Sequence, residues 1–126
     1  MNRRDFRELI IKLIFQDIFE SEIENSEYPE DALKVFFEVR EVYADLDKII
    51  SENLVSWQIS RLNYVDLAIV RYAVFEMKYK KLAPEIVINE ALEITKKYSN
   101  LDDDSAKKFN NRLLDNIRHF LEKDNG

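Results

Sequence analysis

The chain has 126 residues, 46% of them apolar, a formal charge of −6 and one glycine, Gly126. That is a globular composition at a length read as one domain over residues 1–126. With no cysteine, one histidine and no interior glycine, the chain excludes thiolate chemistry, multi-histidine metal sites and glycine-cradled phosphate loops, so neither catalysis nor a metal or cofactor is expected.

In chain order, Phe6, Leu9, Ile10, Leu13 and Ile14 recur at helical spacing and predict a first helix over 4–19. Ile11, Phe15 and Ile18 widen its apolar stripe, which implies burial on more than one side. Glu8 and Lys12 form a favourable i,i+4 pair on it. The apolar run at 9–15 is too short to span a membrane and no cleavage site follows, so a soluble, cytoplasmic protein is expected. Ser21–Pro29 reads as a loop, and Pro29 opens a helix with Leu33, Phe36 and Phe37 as its apolar face. A break near Arg40 precedes a further stripe of Tyr43, Leu46, Ile49, Ile50, Leu54 and Trp57. Asn63 reads as an N-cap, with Asp66 at N3 facing the helix dipole. The helix it opens carries Val65, Ala68, Ile69, Tyr72, Ala73, Glu76 and Met77 and ends among Lys78, Lys80 and Lys81. Pro84 restarts a helix through Val87, Ile88, Ala91, Leu92, Ile94 and Thr95, with a Glu93–Lys97 pair. Asp102 or Asp103 caps the last helix, whose stripe is Phe109, Leu113, Ile117 and Phe120. No strand-like alternation is sustained, which makes the fold all-α. The inner stripes predict a core of Leu13, Ile69, Ala73, Ile88, Leu92 and Leu113.

Charge is uneven. Residues 1–12 carry a net +2 and residues 17–31 a net −7, while the rest holds 15 bases and 16 acids. The acidic stretch reads as a solvated helix end and loop. Asp102-Asp103-Asp104 lacks the turn glycine of a Ca²⁺ loop and reads as capping. His119 reads as a solvated rim histidine, and Trp57 with Arg61 at i+4 as packing rather than a cation–π pair.

Two basic groups stand apart. Arg3, Arg4 and Arg7 open the first helix, where the dipole disfavours cations. They are either a phosphate footprint or a solvated helix start, with Arg7 able to pair with Asp5 or a distant acid. Lys107, Lys108 and Arg112 surround Phe109 near the start of the last helix. An aromatic among cations is a pattern for stacking an unpaired base, although Phe109 also fits the core stripe.

Four segments, in order and spacing, resemble the NusB family of bacterial transcription antitermination factors. They are Arg3-Arg4 through Arg7-Glu8 to Phe15; Trp57, Arg61, Ala68-Ile69-Val70-Arg71 and Phe75-Glu76; Pro84, Val87 and Ile88-Asn89-Glu90-Ala91-Leu92-Glu93 with Lys96 and Tyr98; and Lys108-Phe109, Asn111, Leu114 and Asp115. The resemblance implies two packed helical bundles. It implies binding of boxA-type single-stranded RNA with the ribosomal protein NusE, within the transcription elongation complex. By position it implies RNA contact at Arg3, Arg4, Arg7, Phe15, Lys108 and Phe109, to which Lys107 and Arg112 are added by charge. It implies partner contact at Asp66, with Glu76 on the same helix. The alternative is a helical interaction module, such as a homodimer, that binds no boxA RNA. The chain departs from the family pattern at Phe15 (often Tyr), Thr95 (usually Ala) and Asn110-Asn111-Arg112 (an apolar residue, Asn, Gly), and its segment before Trp57 is shorter.

Overall fold

A computed structural model describes residues 1–19, 28–54, 62–99 and 105–125. Those residues form six α-helices and no strand: α1 Arg3–Ile18, α2 Glu30–Glu41, α3 Tyr43–Glu52, α4 Tyr64–Lys78, α5 Pro84–Tyr98 and α6 Ser105–Asn125. The all-α expectation holds. Trp57, Arg61 and Asp102-Asp103-Asp104 lie outside the described residues.

The hub is α4. From Asp66 to Met77 every residue except Arg71 is buried, the signature of a helix apolar all round. Asn63 caps it as the sequence predicts, its side chain accepting the Asp66 N–H at 2.7 Å. Lys81, at φ 55°, turns the chain away beyond its C-terminus, in the left-handed region usually left to glycine. The helices α1, α3, α5 and α6 all pack on α4, while α2 is held mainly by α1. Arg7 of α1 meets Glu76 near the end of α4, and Phe19, just past α1, meets Tyr64 at its start, so α1 and α4 are antiparallel. Contacts of Ser99 with Asp66 and of Arg118 with Glu85 make α5 antiparallel to both α4 and α6.

The break between α2 and α3 falls at Val42, two residues beyond Arg40. Arg71 fastens α3 to α4. Its guanidinium donates twice to the Asp47 carboxylate, both bonds at 2.8 Å, and lies 4.4 Å from the centre of the Tyr43 ring. The core contains Leu13, Ile69, Ala73, Ile88 and Leu113. Leu92 is only half-buried against it, and Phe37 is exposed because α2 is covered by α1 on one side only. The local pairs Glu8–Lys12 and Glu93–Lys97 give way to a cross-helix arrangement, in which Glu8 accepts hydrogen bonds from Lys97 Nζ and the Tyr98 hydroxyl. Burial disfavours the Glu8 carboxylate, but these two donors outweigh it and hold its pKa below the ordinary value.

Candidate nucleic-acid interface

The first basic group opens α1. Asn2 caps the helix by accepting the Asp5 N–H at 2.8 Å. Arg3 is exposed and has no ion-pair partner among the described residues. Arg4 is also exposed but donates to both carboxylate oxygens of Glu90, at 2.6 and 3.3 Å. Arg7 turns inward and is 8% exposed. Its Nε donates to Glu76 Oε1 and Oε2 at 2.9 and 3.1 Å, and Glu76 is itself 6% exposed. Arg7 was expected to face RNA and Glu76 a partner. They face each other instead, and each buried charge compensates the other. Burial pushes the Glu76 carboxyl up, and Arg7 pulls it back in part.

Near the start of α4, Phe15 forms one wall of an apolar cleft of about 220 Å³ with Ile11, Val65, Ile69, Ile94 and Tyr98. Exposed Phe19 and Tyr64 continue its rim, with ring centres 5.1 Å from Phe15 to Phe19 and 5.0 Å from Phe19 to Tyr64. Two ammonium groups flank Tyr98, Lys12 at 5.8 Å and Lys97 at 5.1 Å from the ring centre. Sequence reasoning did not single out Lys12, Phe19, Tyr64 or Lys97 as site residues. The Lys96-Lys97-Tyr98 run was the available signal, cations beside an aromatic at a helix end.

On the other side of this end of α5 lies the start of α6. Lys108 and Arg112 are exposed, Lys107 is half-buried, and Phe109 packs half-buried against the core. None of the three cations has an ion-pair partner among the described residues. No acidic residue occurs between Ser105 and Leu114. Among the described residues, therefore, three cations stand without an acid near the start of α6, and two of them, Lys107 and Lys108, lie in its first turn, against the helix dipole.

A buried polar cluster joins the starts of α4 and α6 to the end of α5. Asp66 is 6% exposed and accepts hydrogen bonds from Ser99 Oγ at 2.7 Å and Asn110 Nδ2 at 3.0 Å. Asn110 Nδ2 also donates to Thr95 Oγ1 at 3.2 Å. Asp66, expected at a partner surface, thus points inward, because α4's first turn is covered by α5 and α6. Thr95 and Asn110, two separate departures in sequence, are hydrogen-bond partners in space.

The structure does not gather all the expected site residues. Phe15, Lys107, Lys108, Phe109 and Arg112 lie toward the start of α4. Arg3 and Arg4 lie toward its other end, beyond Glu76, and Asp66 to Glu76 is already about 15 Å of helix. Between the Phe15 cleft and α6 runs the last turn of α5, whose Ile94 and Tyr98 line the cleft while Thr95 and Ser99 face the Asp66 cluster. The result is a continuous band of cations and aromatics across three helices: Lys12 and Phe15 on α1, Lys96 to Tyr98 on α5, and Lys107 to Arg112 on α6. Among the described residues no cluster of His, Cys, Asp or Glu could hold a metal ion, and no helix is long and apolar enough to cross a membrane.

The NusB family profile matches residues 2–119. The transcription antitermination protein NusB of Bacillus subtilis is 37% identical, over 98% of this chain and 99% of its own length. That of Bacillus velezensis is 39% identical over 97% and 99%. Among solved structures, T. maritima NusB superposes with a TM-score of 0.80 at 29% identity, covering 94% of this chain and 92% of its own. Sequence, length and architecture agree, and the chain belongs to the NusB family.

Proposed function

We propose that this protein is a transcription antitermination factor without catalytic activity that binds boxA-type single-stranded RNA. It acts together with ribosomal protein NusE in the elongation complex. Family membership with full-length relatives of that name supports the antitermination role. The observation that carries the RNA reading is the start of α6: Lys107, Lys108 and Arg112 stand unpaired among the described residues, the two lysines in the first turn, where stability alone would favour acids. Cations kept against a helix dipole suit a phosphate backbone. Exposed or half-exposed rings at Phe15, Phe19, Tyr64 and Phe109 suit unpaired bases beside it.

On this reading Phe15, Lys107, Lys108, Phe109 and Arg112 contact RNA, joined by Lys12, while Lys97, paired with Glu8, supplies a weaker contact. Arg3 supplies a peripheral phosphate contact, and Arg4 a weaker one because Glu90 neutralises it. Arg7, Asp66 and Glu76 contact neither RNA nor partner directly. With few free cations among the described residues of this surface, binding by this protein alone is weak, and NusE supplies the remaining surface. The test is titration of a boxA-type RNA and a scrambled control into the protein, with and without NusE, at two salt concentrations. Selective, salt-sensitive binding that tightens with NusE is expected. Equal binding of both RNAs, or no gain with NusE, overturns the reading and leaves a helical protein-interaction module.

A further inference from the structure

Asn110 is the one wholly buried amide side chain among the described residues. Its Nδ2 serves Asp66 and Thr95, while its Oδ1 has no hydrogen-bond partner. An apolar residue would remove that orphaned acceptor, and a wholly buried position favours it. What an apolar residue cannot do is hold the Asp66 carboxylate. Glu8 and Glu76, the other buried carboxylates described, each have a cation, Lys97 and Arg7. Asp66 has no cation among the described residues; two neutral side-chain donors serve its carboxylate instead, in the first turn of α4 where the helix dipole favours an acid. Thr95 is itself fixed, donating from Oγ1 to the Ala91 carbonyl at 2.8 Å, so the group that receives Asn110 cannot swing. Asn110 is thereby tied to two rigid points, one on α4 and one on α5. It sits directly after Lys107, Lys108 and Phe109 and two residues before Arg112.

We propose that Asn110 is a positioning residue for RNA binding: through Asp66 and Thr95 it fixes the rotation and depth of the first turns of α6, and so the placement of Lys108 and its neighbours beside the end of α5. This rests on the RNA reading above. The experiment measures boxA-type RNA affinity for the native chain, Asn110→Val, Lys108→Ala and the double variant. Backbone amide exchange is followed at residues 106–112 and in α1–α3. Asn110→Val should weaken RNA binding by about tenfold, on the scale of one hydrogen bond to a charged group. Lys108→Ala should weaken it less. The double variant should bind no more than twofold worse than Asn110→Val, since a misplaced Lys108 has little left to lose. Amide exchange should quicken in 106–112 alone. Thr95→Ala should show a smaller loss of the same kind, and Thr95→Ser none; these two serve if Asn110→Val does not fold. The proposal is overturned if the Asn110 and Lys108 effects multiply, if folded Asn110→Val binds as the native chain does, or if exchange quickens everywhere or nowhere. If the native chain binds no RNA, the functional reading falls first, and the exchange pattern still decides whether Asn110 holds the turn.

Discussion

Two helices in this molecule begin with a cluster of cations, and the fold treats them in opposite ways. At the start of α1, Arg4 is met by Glu90 and Arg7 by Glu76, leaving Arg3 as the one of the three without an ion partner among the described residues. At the start of α6, Lys107, Lys108 and Arg112 all remain unpaired among the described residues. In sequence the α1 group looks the stronger, with three arginines within five residues. Arginine, however, is the cation best suited to burial and bidentate pairing, and two of the three are used that way. The weaker-looking α6 group keeps its charge available. A run of basic residues is therefore only an upper bound on a phosphate-binding surface. The acids it meets across the core set the actual value.

Arg7→Ala leaves Glu76 buried without its cation and should cost about 3–5 kcal/mol in urea unfolding. In conditions where the variant remains folded, its RNA salt dependence should match that of the native chain. Replacing both partners, Arg7→Met with Glu76→Leu, should restore most of the loss. If Arg7→Ala instead leaves stability intact and flattens the salt slope, then α1 is the RNA helix after all.

At α6 the expected pattern reverses. Arg112→Ala should leave the unfolding midpoint unchanged, and Lys108→Ala should raise it slightly or leave it where it is. Each should lower the slope of log K against log salt by about 0.7, the value for one phosphate contact on a single strand. Unchanged slopes for both would remove α6 from the interface. Lys108→Glu should go further in both directions, abolishing RNA binding while stabilising the protein by roughly 0.3–1 kcal/mol through the helix dipole. A stabilised variant that no longer binds would show that Lys108 is retained for function.

The smallest effect concerns Arg4. The hydrogen bond from its guanidinium, opposed by partial burial, holds Glu90 below the usual carboxylate range. A carboxyl group lowered on folding contributes its stability above its unfolded pKa and loses it as the pH falls through the folded one. Glu90→Gln should therefore be slightly less stable than the native chain at neutral pH, and the gap should close once the pH falls below the ordinary glutamate range. A gap that persists in strong acid would mean that Glu90 acts by packing rather than charge.

Much of the fold was legible because its signals are local. The apolar stripes place α1 to α6, Asn63 marks the start of α4, and Pro84 that of α5. The site was legible only in part. Phe109 beside its lysines could be read from adjacent residues. The pairing of Arg7 with Glu76 spans 69 positions and could not. Asp66 was correctly read as an N3 acid, but nothing local shows that α5 and α6 cover it. Thr95 and Asn110 could each be seen to depart from the family pattern without any sign that they touch.

The sequence alone therefore settles the helical class, the starts of α4 and α5, the family and the pool of charges from which a site could be drawn. Tertiary structure alone decided which of those charges are cancelled, which are buried and which still face water. The physical reason is range. Capping, propensity and amphipathic period act within a few residues, so they are written in consecutive positions. Charge compensation and hydrogen bonding act between atoms a few ångströms apart in space. In a bundle packed around α4, those atoms come from helices that lie far apart in the chain.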